Sequence, residues 1–283
     1  VSSHYDSAIF NWFSGDQGEL RLSAGPANAL RYGENPHQPA TFFGDLQGLF
    51  EQLGGKALSY NNLLDIDAAL ELIDDLSTLG GVPFAILKHN NACGAAVRPS
   101  IREAWDAALA GDPISAFGGV LITTATMNKA TAEAIDAIFF EIVCAPAYDA
   151  DALEVLRKKK NRIILVRKPT KKPVRKYRTA LNGILAQSPD SVIDTMTSAR
   201  TATKKTATAS EEKDLFFANI LVKHTKSNAI VLAKGYQLLA SGTGQTSRVD
   251  ALEQAIAKAQ KFKFDLKGTV MASDAFFPFP DCV

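Results

Sequence analysis

The 283-residue sequence has few cysteines, no long apolar run and almost no net charge. Its three cysteines, Cys93, Cys144 and Cys282, are not closely spaced, so we expect free thiols in a reducing compartment and predict a cytoplasmic protein. The apolar runs, such as 82–87 and 229–233, are far shorter than the roughly 20 residues that span a bilayer. The 31 basic and 30 acidic residues give a net charge of +1, which predicts no general affinity for membranes or nucleic acid.

The sequence also lacks the motifs in which metal ligands are commonly spaced. The sequence contains no CxxC motif, and His89 is followed by Asn-Asn instead of the x-Glu that a zinc deaminase requires. We therefore predict that the protein holds no metal.

Apolar periodicity alternates between helices and short strands, which is typical of an α/β fold. Residues 63–79 carry apolar side chains three and four apart, and Gly80-Gly81 should end that helix. Residues 82–87 are wholly apolar, as in a strand that is buried on both faces of a sheet. The alternation continues with a helix at 100–110, a strand at 118–123 and a helix at 129–139.

A threonine-rich segment divides the predicted fold into two units. Residues 195–209 contain six threonines and little to bury, so we expect a mobile connector. We predict a first α/β unit at 1–185 that ends in a basic connecting arm, a linker at 186–210, and a second α/β unit at 211–283. In the second unit we expect helices at 211–222 and 250–259 and strands at 228–233, 237–241 and 269–272.

Twelve of the basic residues lie between positions 157 and 178. Such a run occurs in nucleic-acid-binding proteins, but aromatic residues that could stack on bases are nearly absent apart from Tyr177. The alternative is a solvated helix end, a strand at 163–166 and a connecting arm. We favour this alternative and predict no nucleic-acid partner.

Lys88 and His89 are the strongest candidates for catalysis, because they follow the strand at 82–87 at its C-terminal end, where α/β sheets usually hold ligands. Histidine can act as a general base, and lysine can stabilise an oxyanion. Both side chains reach one site only if the backbone turns there, as Asn91 and the flexible segment at 94–96 suggest. The alternative is a pair of hydrogen-bonded polar residues at a strand end.

The segment 86–90 resembles the segment 221–225, because each contains a Lys-His pair. The second pair is Lys223-His224. Duplication and chance both account for a match this short.

Residues 242–248 join a predicted strand to a predicted helix. Their glycines would let an anion approach the amides at the start of the helix, and Arg248 would add a bidentate contact. The alternative is a tight turn in which Thr246 or Ser247 is the N-cap.

Residues 276–280 contain three phenylalanines and two prolines. They could stack on a flat heterocycle, with Asp281 as the polar contact, or they could pack in the core or at an interface.

Seven motifs follow one another along the chain and together carry a family resemblance. They are Arg31-Tyr-Gly-Glu-Asn-Pro-His-Gln38, Lys88-His-Asn-Asn-Ala-Cys-Gly94, Ser115-Ala-Phe-Gly118, Cys144-Ala-Pro146, Lys223-His-Thr-Lys-Ser-Asn228, Gly244-Gln-Thr-Ser-Arg248 and Ser273-Asp-Ala-Phe-Phe-Pro-Phe279. In this order they resemble the transformylase part of the AICAR transformylase/IMP cyclohydrolase family. The resemblance implies two cytidine-deaminase-like α/β units without zinc, and a homodimer whose active sites use residues of both subunits.

The same resemblance implies a reaction. A formyl group passes from 10-formyltetrahydrofolate, a co-substrate, to the 5-amino group of AICAR, which gives FAICAR and tetrahydrofolate in purine (IMP) biosynthesis. By the family's pattern, His89 matches the general base that acts on the amine. Lys88 matches the group that stabilises the tetrahedral intermediate and helps the folate nitrogen to leave.

The resemblance further implies which residues bind the substrates. Asn228 matches the asparagine that hydrogen-bonds the carboxamide of AICAR, and Val249 and Asp281 match folate-side positions. Pro280 stands where many members have arginine, which leaves the folate side less defined. The positions that match AICAR-binding residues are Arg31, Tyr32, Gly118, Glu141, Asn228, Arg248 and Phe276.

The family's pattern extends beyond both ends of this sequence. Members continue after the Phe-Pro-Phe motif to a C-terminal segment that completes the substrate site, and they carry a cyclohydrolase domain ahead of the transformylase part. Because the sequence starts at Val1 without methionine, we expect a piece of a longer polypeptide whose cyclohydrolase domain is absent here. The alternative function is a truncated, dimerising fragment that binds AICAR or folate with little turnover.

Overall fold

The computed structural model describes residues 2–15, 20–195 and 198–277. Its helices are α1 (Ser2–Ser14), α2 (Leu46–Leu49), α3 (Tyr60–Leu76), α4 (Ile101–Gly111), α5 (Lys129–Asp136), α6 (Ala150–Leu156), α7 (Ala209–Lys223) and α8 (Arg248–Lys261). Its strands are β1 (Ala27–Leu30), β2 (Ala40–Phe43), β3 (Phe50–Gly54), β4 (Val82–Lys88), β5 (Asn91–Arg98), β6 (Val120–Thr123), β7 (Ile142–Ala145), β8 (Ile163–Arg167), β9 (Lys176–Ala180), β10 (Gly183–Gln187), β11 (Ile230–Ala233), β12 (Leu238–Gly242) and β13 (Val270–Ser273).

A six-stranded mixed sheet forms the larger half of the molecule, with the spatial order β3-β8-β7-β6-β4-β5. β6, β7 and β8 run parallel to one another. β4 pairs antiparallel with both β5 and β6, and β3 pairs antiparallel with β8. The protein therefore has the α/β class that the sequence predicts, with a sheet of mixed direction.

Helices cover both faces of this sheet, because alternate residues of its strands are apolar on each face. Leu87 of β4 packs in one core with α3 and α7. Its neighbour Ile86 packs in a second core with α4, α5 and α6, where Trp105 is the largest buried side chain. The prediction that 82–87 is buried on both faces is confirmed.

A three-stranded antiparallel sheet with the order β12-β11-β13 forms the second half. The β11–β12 hairpin confirms the predicted pairing of 228–233 with 237–241. α8 covers one face of this sheet, and α7 lies between it and the larger sheet. Because one apolar core includes residues of both halves, the proposed boundaries at 185 and 211 separate sheets that share a core.

The two sheets also meet directly along β5. The backbone N–H of Val97 donates to the carbonyl of Tyr236 at 3.0 Å. The guanidinium of Arg98 donates to the carbonyl of Gly235 at 2.7 Å and to Oε1 of Gln237 at 2.9 Å. The end of β5 is thus fixed to the turn that precedes β12.

Residues 94–96, expected to be flexible, instead lie buried in β5. The physical reason is close packing. A Cβ atom on Gly94 would lie 2.1 Å from the carbonyl oxygen of Ala108, so glycine lets α4 approach this strand. The small side chains in this segment therefore serve packing between a helix and a strand.

Residues of the basic run at 157–178 form ion pairs with neighbouring helices and part of a β-hairpin. Its C-terminal part forms β9, which pairs with β10. At least five of its twelve cations bind acidic residues of α3 and α5, a pattern that favours the alternative of a solvated connecting arm. The pairs are Lys159 and Arg162 with Asp136, Arg167 and Lys172 with Asp74, and Lys176 with Glu71.

Part of the predicted linker lies on α7. Asn219 donates from Nδ2 to Oδ2 of Asp194 at 2.7 Å, and Ile193 packs against the shared core. Met196 and Thr197 lie outside the described residues. Across the described part of the chain, no helix has both the length and the apolar content for crossing a bilayer.

Candidate active site

Lys88 and His89 lie where β4 turns into β5. Lys88 pairs with Asn91 across the hairpin, so the loop contains only His89 and Asn90. Both loop residues have positive φ, 52° for His89 and 64° for Asn90. Left-handed conformations at both positions are typical of the tight turns that join antiparallel strands. The backbone therefore turns at this pair, as a shared site requires.

This turn lies at the C-terminal end of its own strand, β4, as predicted, but β4 runs against the parallel strands. Because β4 runs antiparallel to β6, the end of β4 meets the start of β6, with Leu87 opposite Val120. Val120 in turn pairs with Ile142 at the start of β7. The candidate site thus lies at the N-terminal ends of the parallel strands, and the rule that ligands bind at their C-terminal ends does not apply here.

Lys88 is held against the turn that precedes β6. Its Nζ donates to the carbonyl of Phe117 at 2.8 Å, and a Cβ on Gly118 would lie 4.0 Å from that Nζ. Gly118 has a φ of 76° and donates its N–H to the carbonyl of Phe139 at 2.8 Å. The exposed rings of Phe117 and Phe139 lie 5.1 Å apart. The structure therefore brings Lys88 and Gly118 together beside an exposed aromatic pair.

His89 is exposed, and the backbone around it is fixed by two side chains. Oδ1 of Asp65 on α3 accepts a 2.7 Å hydrogen bond from the N–H of Asn90. Nδ2 of Asn91 donates to the carbonyl of His89 at 2.7 Å. Burial raises the pKa of Asp65, whereas the Asn90 hydrogen bond and the charge of His89 lower it and Glu141 raises it further. Asp65 therefore lies within electrostatic reach of both His89 and Glu141.

Glu141 stands just before β7 and is partly buried. Asn62 on α3 donates from Nδ2 to its Oε2 at 3.1 Å, and Lys56 forms an ion pair with its Oε1 at 3.5 Å. Its backbone N–H donates to the carbonyl of Gly119 at 3.1 Å. The predicted residues Lys88, His89, Gly118 and Glu141 are thus at one edge of the larger sheet.

Asn228 and Arg248 form a second group at the smaller sheet. Nδ2 of Asn228 donates to the carbonyls of Gln245 and Thr246 at 3.1 and 3.0 Å. Ser247 is the N-cap of α8 and accepts a hydrogen bond from the N–H of Asp250. Ser247 is therefore the N-cap, one of the two residues that the tight-turn alternative names.

Arg248 points to the residues that follow β13. Its guanidinium donates to Oγ of Ser273 at 3.3 Å and lies 3.4 Å from Oδ1 of Asp274. Burial raises the pKa of Asp274, but hydrogen bonds from Ser227 and the N–H of Ala229, together with the charge of Arg248, lower it overall. Arg248, which was predicted to bind an anion, therefore already pairs with the carboxylate of Asp274.

One side chain joins the two groups. Oδ1 of Asn91 accepts from the N–H of Lys226 at 3.0 Å, while its Nδ2 binds the carbonyl of His89. Lys226 is two residues before Asn228. The position of the His89 turn is therefore coupled to the loop that carries Asn228.

The remaining predicted residues lie in other segments of the chain or next to Arg248. Nη2 of Arg31 donates to the hydroxyl of Tyr32 at 2.9 Å, and its guanidinium lies 4.7 Å from the ring centre, in the loop between β1 and β2. Val249 is partly buried in the first turn of α8, and Phe276 is 80% exposed. Asp281, Pro280 and Cys282 lie outside the described residues. Within 2–15, 20–195 and 198–277, no three His, Cys, Asp or Glu residues are grouped as metal ligands.

Comparison with known proteins gives the family. The sequence profile described as AICARFT/IMPCHase bienzyme matches residues 1–258. The chain belongs to this family. It is similar to bifunctional purine biosynthesis proteins PurH, and it spans about half the length of the curated relatives it matches.

Three of these relatives show the extent of the similarity. The PurH of Bacteroides thetaiotaomicron is 63% identical over 284 residues, which cover 100% of this chain and 55% of the relative. The protein of Chloroflexus aurantiacus is 46% identical over 256 residues, or 90% of this chain and 50% of the relative. The protein of Chlorobium phaeobacteroides is 40% identical over 298 residues, which cover 99% of this chain and 57% of the relative.

In this member of the AICARFT/IMPCHase family, the second Lys-His pair is located differently from the first. Lys223 and His224 stand at the C-terminal end of α7, and both bind Oδ2 of Asp75 on α3, at 3.0 and 2.7 Å. The first pair is at a hairpin turn. The two pairs are therefore not in equivalent positions of the two halves.

Asn62 and Asp65 were missed by the sequence analysis. They are three residues apart on α3 and so share a face of that helix. Asn62 is 6% exposed, unusually buried for a polar residue, and it also completes a capping box with Ser59. The signal that could have found them is this pair of polar residues within the apolar stripe of α3.

Proposed function

We propose that this chain carries the AICAR formyltransferase activity of its family and transfers a formyl group from 10-formyltetrahydrofolate to the 5-amino group of AICAR. The products are FAICAR and tetrahydrofolate, in purine (IMP) biosynthesis. One observation carries the proposal in a chain of this family: Lys88 ends β4 with its Nζ beside Gly118, and a two-residue left-handed turn presents His89 directly after it.

The chemistry needs a base and a cation at one place. His89 is the general base that takes the proton of the amine as its nitrogen attacks the formyl carbon. An ammonium group has three donors, and the Phe117 carbonyl uses one from Lys88. The remaining donors stabilise the oxyanion of the tetrahedral intermediate and then assist the departure of the folate nitrogen. Collapse of that intermediate breaks the bond to folate and completes the transfer.

Several side chains have proposed roles in substrate binding. Nδ2 of Asn228 binds two backbone carbonyls, so Oδ1 is the atom that it offers to the carboxamide of AICAR. Arg248, whose guanidinium is held by Ser273 and Asp274, is the proposed cation of the same group. Gly118 lets a ligand approach the backbone beside Lys88, and Glu141 lies on the same edge. Arg31, Tyr32 and Phe276 complete the proposed AICAR-binding set, and Val249 and Asp281 lie on the folate side.

Finer features of the fold and assembly are part of the same proposal. The two halves are cytidine-deaminase-like units without zinc, divided at 1–185, 186–210 and 211–283. The protein is a homodimer whose active sites use both subunits. The exposed Leu181 and Leu185 of the β9–β10 hairpin support an assembly.

The cytoplasm is the proposed compartment, and no metal, nucleic acid or membrane takes part. Among the described cysteines, Cys93 and Cys144 are free, and burial raises the pKa of each thiol to about 12. Unpaired, protonated thiols suit a reducing compartment.

The second candidate function is binding of AICAR or folate by a dimer that has little turnover. Titration calorimetry that detects binding of AICAR, in the absence of tetrahydrofolate formation, would select this candidate.

The test follows formation of tetrahydrofolate from AICAR and 10-formyltetrahydrofolate. His89→Ala should lower kcat by about 10²–10⁴, the usual contribution of a general base. His4→Ala is the matched control, because His4 is exposed on α1 and binds only Ser23 among the described residues. A His89→Ala protein as fast as the wild type would overturn the assigned role.

A further inference from the structure

We propose that Asp65 is a positioning residue, which holds His89 in its active orientation through the hydrogen bond to Asn90. The inference rests on the proposed formyltransferase function. Oδ1 of Asp65 accepts the N–H of Asn90 at 2.7 Å, and Asn90 is the residue after His89 in the two-residue loop.

The turn needs such support because neither loop residue is glycine. His89 and Asn90 have φ values of 52° and 64°, a conformation that L-residues with a Cβ rarely adopt. In a two-residue hairpin, the N–H of the second loop residue has no partner within the ladder. Asp65 supplies that partner from a different element, so α3 sets the position of the turn relative to the sheet.

The N-terminal part of α3, which carries Asp65, is held in place by several contacts. Asp65 is between Asn62, which binds Glu141, and Ile66, which is 2% exposed in the shared core. The helix itself starts at the capping box of Ser59. A carboxylate on this helix therefore has little freedom to follow a moving loop.

Charge is the alternative way in which Asp65 could act on His89. Ionisable groups near the turn include Asp65, Glu141 with its partner Lys56, Lys88, and Lys226, whose N–H donates to Asn91. Asp65→Asn separates the two effects, because asparagine keeps an oxygen acceptor for the Asn90 N–H and removes the charge. Asp65→Leu keeps the branched shape of the side chain, with larger end groups, and removes both. Asp67→Leu is the matched control, since Asp67 is exposed on the same helix two residues away.

The experiment measures kcat and KM for AICAR, thermal unfolding, and hydrogen exchange at the Asn90 amide. Asp65→Leu should lower kcat about 10-fold or more, with KM within about threefold, because a misplaced base affects the transition state more than binding. Asp65→Asn should recover kcat to within about threefold of the wild type. The Asn90 amide should exchange about 10-fold faster in Asp65→Leu than in Asp67→Leu, as expected on loss of one hydrogen bond.

Several results would overturn the positioning role. They are a kcat of Asp65→Leu equal to that of Asp67→Leu, a kcat of Asp65→Asn as low as that of Asp65→Leu, or unchanged exchange at Asn90. If Asp65→Leu does not fold, the Asp65→Asn comparison decides. A wild-type chain without formyl transfer contradicts the proposed function, whereas the exchange measurement still reports on the contact between Asp65 and Asn90.

Discussion

The chain contains the dipeptide Lys-His twice, and the two copies have different surroundings. Lys88 binds a neutral carbonyl, and His89 is exposed in a turn. Lys223 and His224 are 14% and 12% exposed and both bind one buried carboxylate, that of Asp75. Lys88 and His89 form no ion pair with any residue that the structure describes, so we expect them to be available for a ligand at the sheet edge. A shared buried carboxylate makes the second pair part of the packing between α3 and α7. The group that each Lys-His pair contacts indicates the role of the pair better than the dipeptide sequence does.

The largest expected contrast comes from replacing each lysine in turn. Lys88→Met should lower kcat for formyl transfer by about 10²–10³, the cost of removing one oxyanion donor, with little change in the free energy of unfolding. Lys223→Met should leave Asp75 with one partner and lower the free energy of unfolding by about 3 kcal/mol, while the folded protein keeps its kcat. Steady-state kinetics and urea unfolding of both variants check this. Equal effects of the two changes on kcat would break the distinction between the pairs.

The pH dependence of stability should sharpen the same comparison. Burial raises the pKa of Asp75, but hydrogen bonds and charges from His224 and Lys223 lower it overall, below its ordinary value. Between the folded and unfolded pKa values the unfolded state binds more protons, so the contribution of Asp75 is present above about pH 4 and is lost as the pH falls.

The wild type should therefore exceed Asp75→Asn in free energy of unfolding at pH 6, and the gap should narrow by pH 3. Chemical denaturation at several pH values measures it. A gap that is constant with pH would contradict the role of the carboxylate.

The smallest effect is expected at the link between the two candidate ligand-binding groups. Asn91→Ala removes the hydrogen bonds to the His89 carbonyl and the Lys226 N–H, and should cost about 1 kcal/mol of stability. Because it loosens the turn, kcat should fall about threefold to 10-fold. Asn91→Asp keeps the acceptor for Lys226 and loses the donor to His89, so its kcat should be intermediate. Wild-type kinetics in Asn91→Ala would show that the link does not matter for catalysis.

Local patterns predicted much of the fold. α3, α4, α8 and the β11–β12 hairpin follow from apolar periodicity and caps within their own segments. β9, with the sequence Lys-Tyr-Arg-Thr-Ala, was missed because its exposed strand lacks an apolar face. The short strands β1, β2, β3 and β7 and the helix α6 were missed as well.

Strand direction was not predicted from the sequence. The apolar composition of β4 predicts a buried strand, and such strands are common in parallel sheets. The two-residue loop after it makes β5 its antiparallel neighbour, and its pairing with β6 is antiparallel too. Composition carries no information on direction, so the sequence placed Lys88 and His89 at a strand end without showing that this end lies beside the N-terminal ends of the parallel strands.

The candidate site shows the same limit. Lys88, Gly118 and Glu141 belong to motifs that the sequence displays, but Asp65 acquires its role only when α3 packs beside the hairpin. Asp75 likewise meets Lys223 across 148 positions of the chain. Contacts at such separation depend on the complete topology, which local periodicity does not specify.

β5 has a consequence for the motions of this molecule. Asn91 at its start binds the Lys226 loop, and Val97 and Arg98 at its end bind the turn at 235–237. Eight residues of strand separate these attachments by roughly 25 Å. A joint fixed at two distant points resists rotation about any single hinge, so the two sheets should move as one body. We therefore expect motions of the surface loops, and not of the sheets, to admit substrates and release products. Relaxation dispersion would measure the rate of loop opening.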